Sequence, residues 1–95
     1  LLLDEPCAGL DPAARHHFLN MLREIARGGT TMLLITHHIE EILPEIDRIV
    51  MLRDGHLLHD GAKADLLTSE RLTDLFDLPV TVTPRGDWYH ADIRA

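Results

Sequence analysis

Cysteine occurs once, at Cys7, so the chain can form no internal disulfide and fits a reducing compartment. Cys7 itself reads as the filler of a loop position, not as a nucleophile. Lysine is as scarce, with Lys63 alone, and nine basic residues face sixteen acidic ones for a formal net charge of −7. The basic residues are scattered. That balance argues against a nucleic-acid-binding face, because phosphate recognition concentrates Lys and Arg on one surface. No run of 18 apolar residues occurs, so no segment is a candidate membrane span, and the first residues carry no signal-peptide pattern. What remains is an ordinary globular composition, 45% hydrophobic and 26% charged, over a length of 95 residues that allows one domain or part of one.

The stretch with most chemistry in it is Leu1-Leu2-Leu3-Asp4-Glu5-Pro6. Three apolar residues run into two carboxylates, and proline stops regular structure. Such a run predicts a strand buried on both faces. Asp4 and Glu5 then sit at its carboxyl end, where open α/β sheets place their ligands. Two carboxylates there are costly unless a cation or a reacting proton accounts for them. The plainer alternative is a strand end with two solvated acids. Neighbours on a strand point to opposite faces, so Asp4 and Glu5 cannot flank one glycosidic bond.

Asp11-Pro12 predicts a helix start, with Asp11 as N-cap and Pro12 at the first helical position. Ala14, Phe18, Met21, Leu22 and Ile25 follow as one apolar stripe, and Gly28-Gly29 closes the helix. Thr30 to Thr36 reads as a second buried strand, which makes residues 1–36 a parallel βαβ unit. His37 then shares a sheet edge with Asp4 and Glu5. A short helix from Ile39 to Leu43, with Glu40 and Glu41 favourably placed in its first turn, ends at Pro44.

Further on, Asp47 to Arg53 and His56 to His59 predict antiparallel strands around an Asp54-Gly55 turn. Helices follow at Ala62 to Leu67 and Ser69 to Phe76, then strands Val80 to Thr83 and Trp88 to Asp92 across a turn-rich Pro84 to Asp87. This last segment is expected to pack on the sheet edge. Seven histidines invite a metal site, but adjacent His16 and His17 point roughly 100° apart on a helix and cannot readily share an ion. His37 and Glu41 are four apart, but His37 belongs to a strand end.

LLLDEP followed by Cys7-Ala8-Gly9-Leu10-Asp11-Pro12 resembles the Walker B motif and D-loop of ABC-type ATPases, and His37 matches their switch (H-loop) histidine. His38 departs from the family, which commonly has Asp there. The resemblance covers residues 1 to about 61 closely and the remainder loosely. It implies an α/β fold: the C-terminal part of a P-loop NTPase (RecA-like) parallel sheet with flanking helices, a small edge hairpin and an α/β tail. Residues 1–67 would be the nucleotide-binding-domain part and 68–95 a C-terminal appendage on it.

On that resemblance Asp4 is the Mg²⁺ ligand, Glu5 the general base on the attacking water, and His37 the γ-phosphate sensor. Asp11 adds a cross-dimer role to its N-cap role. ATP and Mg²⁺ are the implied substrate and cofactor. A second nucleotide-binding domain, most simply in a homodimer, and a transmembrane permease are the implied partners. The location would be cytoplasmic, peripheral on the inner face of the membrane. The phosphate-cradling G-x-x-x-x-G-K-[ST] loop, the glutamine-bearing loop and the LSGGQ-like signature are absent. In the family these precede Walker B, so the chain reads as the C-terminal part of a larger protein and is not expected to bind ATP usefully alone.

ITHHIEEI and SERLTDLFDLPVTV look similar to ATPases of metal-chelate or oxyanion importers. Two other readings stand beside transport: a soluble ABC ATPase acting on ribosomes or DNA, and a truncated remnant serving as an interaction module.

Overall fold

In the computed structural model, which describes residues 1–93, the first strand is β1 (Leu2–Asp4). It pairs in parallel with β2 (Leu33–Ile35), in the register Leu2 to Leu33, Leu3 to Leu34 and Asp4 to Ile35. Helix α1 (Pro12–Arg27) connects them, so the expected βαβ unit is present. Its start is fixed locally: Asp11 is extended, and its carboxylate accepts from the Ala14 N–H at 2.8 Å. Its end is set by Gly28, whose N–H reaches back to Glu24 O, and by Gly29, whose φ of +97° a residue with a Cβ rarely adopts.

One expectation is corrected here, and another depends on neighbouring strands. The inward face of α1 carries Leu19 and Leu22, flanked by Phe18 and Ile25, whereas Met21 is exposed. At about 100° per residue, Met21 stands well round the helix from Leu19, and Leu19 completes the i, i+3 pair with Leu22. The strands, moreover, are not buried on both faces. Leu3 packs toward α1, but Leu2 and Leu33 on the opposite face are 65% and 61% exposed. A parallel strand is enclosed only when further strands and a covering layer flank it. Among the described residues this sheet has two strands.

Past β2, the chain makes a short 3₁₀ turn, Ile39–Glu41, in place of the longer helix read from the sequence. Strands β3 (Arg48–Arg53) and β4 (His56–Ala62) form an antiparallel hairpin. Asp54 and Gly55 both have positive φ, 52° and 75°, as a two-residue turn matched to strand twist requires. Helices α2 (Lys63–Leu66) and α3 (Ser69–Phe76) follow, the latter capped by Thr68 and closed by Asp77 in the left-handed region. Strands β5 (Val80–Arg85) and β6 (Trp88–Ile93) close as a second hairpin. That hairpin pairs with no other strand among the described residues. It lies on the 3₁₀ turn and α3, not on the edge of the β1–β2 sheet.

Two apolar clusters result. One gathers Cys7, Leu19, Leu22 and Leu43 beneath the β1–β2 unit. The other gathers Ile39, Ile42, Met51, Leu66, Leu67, Leu72 and Val80 among the hairpins and short helices. The 3₁₀ turn and Leu43 run between them. A polar clamp reinforces this junction: the Arg23 guanidinium donates to both Glu45 oxygens, at 2.9 and 3.0 Å, and lies over the Trp88 ring at 5.7 Å.

Candidate functional site

The site is built at the carboxyl end of the parallel pair. Glu5 follows β1 directly, and its N–H donates to Ile35 O at 2.8 Å, carrying the ladder one step past the last paired residue. Its backbone is then turned into the left-handed region, with φ of 47°. A glutamate gains nothing sterically from that conformation, which costs on the order of 1–3 kcal/mol and collects at functional sites. The turn that follows is tied by Ala8 N–H to Glu5 O at 3.1 Å and by Leu10 N–H to Cys7 O at 3.1 Å.

The structure brings His37 to Glu5. The imidazole Nδ1 meets Glu5 Oε1, while the His37 side chain stays 78% exposed. Glu5 Oε1 is enclosed and, among the described residues, makes no hydrogen bond of good geometry. Asp4 shares the open face of the sheet with Ile35, its register partner, and is exposed. Asp11 lies beyond the turn and caps α1. Of the four residues singled out from the sequence, Glu5 and His37 are therefore brought into contact. Asp4 sits beside them on the strand, and Asp11 is set apart at the helix start.

Two further polar groups underlie the site, and the sequence reading did not use them. Glu41 is only 3% exposed, not a solvated first-turn acid. Its Oε1 accepts from the Thr36 hydroxyl at 3.1 Å, and the same hydroxyl accepts from the His38 N–H at 3.0 Å. Cys7 lies beside Glu41. Burial first, and then the nearby Glu41 charge, push the Cys7 thiol up, so it rests protonated and unreactive. The four-residue spacing from His37 to Glu41 was the available signal. It pointed past His37 to Thr36, the residue that Glu41 in fact holds.

Among the described residues no three His, Cys, Asp or Glu side chains cluster as a metal site would require. A cavity of about 490 Å³, lined by residues including Arg23, Glu45, Lys63 and Tyr89, contains neither Glu5 nor His37. With Asp4 and the His37 side chain exposed, the site is an open sheet edge.

No family model matches the chain. Among curated proteins it is 39% identical over 84 residues to the uncharacterised ABC transporter ATP-binding protein YlmA of Bacillus subtilis, covering 86% of this chain and 32% of that protein. It is 37% identical over 84 residues to the ribose import ATP-binding protein RbsA of Burkholderia mallei, covering 80% of this chain and 17% of that one. The chain thus spans a third or less of the length of these relatives. Among solved structures, a metal-chelate type ABC transporter in an inward-facing conformation superposes with a TM-score of 0.80 at 26% identity. The match covers 99% of this chain and 39% of the other.

Proposed function

This chain belongs with the ABC transporter ATP-binding proteins, as part of their nucleotide-binding domain, and we propose that it carries the water-activating half of an ATP-hydrolysing site. The observation behind this reading is the meeting of His37 Nδ1 with the enclosed Oε1 of Glu5 at the end of the parallel pair. A carboxylate oriented through one oxygen keeps its second oxygen to take a proton from water. Glu5 is the general base. His37, anchored to Glu5 through Nδ1, keeps its outer edge exposed and is the group that meets the γ-phosphate.

Mg²⁺ commonly takes one or two protein carboxylates, the rest of its shell being phosphates and water. The residues present fit that demand: Asp4 supplies one exposed carboxylate beside Glu5, and no all-protein cage is needed. Asp4 would hold the ion, which would supply charge neutralisation for the phosphate oxygens. Glu5 handles the proton, and Asp11 fixes the start of α1 while facing a second nucleotide-binding domain.

The chain contains no phosphate-cradling loop, so turnover belongs to the complete ATPase, and this segment alone is inactive. That ATPase works as a pair of nucleotide-binding domains, most simply two copies, beneath a transmembrane permease on the cytoplasmic face. Among the described residues of this chain, no helix is long and apolar enough to cross a membrane. Import of a metal chelate is the favoured cargo, because the structural likeness to a metal-chelate type transporter extends over nearly the whole chain, tail hairpin included. The test is Glu5→Gln in the complete protein. Hydrolysis should vanish while ATP still binds, and near-normal hydrolysis would refute the assignment of the base.

A further inference from the structure

Glu41 is the one charged residue among the described residues that is buried, and nothing in the reaction as proposed uses it. Its position is unusual for an acid. It stands at the end of the 3₁₀ turn, between the cluster holding Ile39 and Ile42 and the cluster holding Leu43 and Cys7. Burying a carboxylate is costly, and one hydroxyl with one weakly donating thiol satisfies little of its capacity to accept. An apolar side chain would fill the same space more cheaply.

What Glu41 touches suggests its task. The Thr36 hydroxyl donates to Glu41 Oε1 at 3.1 Å, which turns that hydroxyl's lone pairs toward the chain ahead of it. There it accepts from the His38 N–H at 3.0 Å. Residues 36 and 38 are therefore pinned by one hydroxyl, and His37 is the residue between them. The same carboxylate lies against Cys7 in the loop that leaves Glu5, so it borders both segments that meet at the site. Glu40, its neighbour, faces the other way and accepts from the Ala91 N–H of β6 at 2.8 Å, tying the turn to the tail hairpin.

We propose that Glu41 is a positioning residue: through Thr36 it sets the conformation of the 36–38 segment and holds the His37 imidazole against Glu5. This inference rests on the ATPase reading given above. Glu41 touches neither phosphate nor water in this role, and it acts by geometry alone. A displacement of about 1 Å in a reacting group can lower a rate about 100-fold, so a loosened His37 should register in kcat.

The experiment uses the complete ATP-binding protein that carries this chain, with wild type, Glu41→Leu, Glu41→Gln, Thr36→Val, Thr36→Ser and Thr36→Val/Glu41→Leu compared. Glu41→Leu and Thr36→Val should each lower kcat about tenfold or more with the ATP KM changed less than about twofold. The double variant should be no worse than either alone, because both cut the same link. Glu41→Gln and Thr36→Ser, which keep an acceptor and a hydroxyl, should restore most of the rate. Independently of turnover, hydrogen exchange in the nucleotide-free protein should show the His38 amide opening faster in both disrupting variants, with the amides of α1 unchanged. Thr36→Val serves should Glu41→Leu fail to fold.

Wild-type turnover with undiminished kcat and unchanged His38 exchange in the folded variants, or additive losses in the double variant, would overturn the inference alone. Absence of turnover in a wild-type protein that binds ATP would overturn the ATPase reading and this inference with it.

Discussion

His37 Nδ1 meets Glu5 Oε1 across the carboxyl end of the β1–β2 pair, although the whole of α1 separates the two residues in the chain. The contact exists because a parallel pair puts both strand ends at one edge, and the crossover helix returns the chain to make it so. If His37 contacts the γ-phosphate from this position, His37→Ala in the complete protein should lower kcat by about 100-fold or more, the scale of removing one preorganised donor. ATP affinity, measured by equilibrium titration, should change far less.

Asp11 has a structural task that holds whatever else it does. Asp11→Ala removes the acceptor for the Ala14 N–H and should destabilise the folded protein by about 1 kcal/mol in a denaturant titration. Asp11→Asn should recover most of that. A loss of turnover in Asp11→Asn despite recovered stability would expose its role toward a second nucleotide-binding domain.

Leu43 is fully buried at the seam between the two clusters. Truncation there leaves a cavity that neither cluster can easily fill. Leu43→Ala should cost roughly 2–5 kcal/mol, read from the shift in the unfolding midpoint.

The Arg23–Glu45 pair makes stability depend on pH in a definite direction. The hydrogen bond from Arg23 holds the Glu45 carboxyl below its ordinary value of 4.5, and burial opposes this less strongly. A carboxylate whose folded pKa is depressed binds fewer protons folded than unfolded. Its stabilisation is therefore complete above 4.5 and is lost as pH falls through the lower, folded value. Glu45→Gln should be less stable than wild type at neutral pH, and the difference should shrink steadily in acid. Thermal unfolding of both proteins across that range measures it.

The open face of the β1–β2 sheet carries Leu2, Leu33 and Ile35, all exposed. An uncovered apolar sheet face promotes association. The 95-residue chain by itself should self-associate with rising concentration, as light scattering would record, and Leu2→Thr/Leu33→Thr should reduce that association.

How much of this could be read from the residues differs by element. Asp11-Pro12, Gly28-Gly29 and Asp54-Gly55 were legible because caps and tight turns are decided by one or two residues and their φ angles. Met21 and Leu19 were misassigned because several helical stripes are compatible with so many apolar residues, and packing chooses among them. Leu2 is exposed for another reason: burial belongs to a strand's neighbours and not to the strand.

The site divides in the same way. Asp4, Glu5 and His37 stood out as residue types at strand ends, and the parallel pairing of those strands followed from the intervening helix length. What the sequence by itself determined is thus local: which segments are helix, strand or turn, and which acids and imidazoles lie at their ends. Only the tertiary structure decided which oxygen of Glu5 is enclosed, that Glu40 and Glu41 face opposite ways, and that one hydroxyl links Glu41 to the His38 amide. Short-range geometry is written in adjacent residues, whereas burial and the choice of a hydrogen-bond partner depend on segments the chain returns from far away.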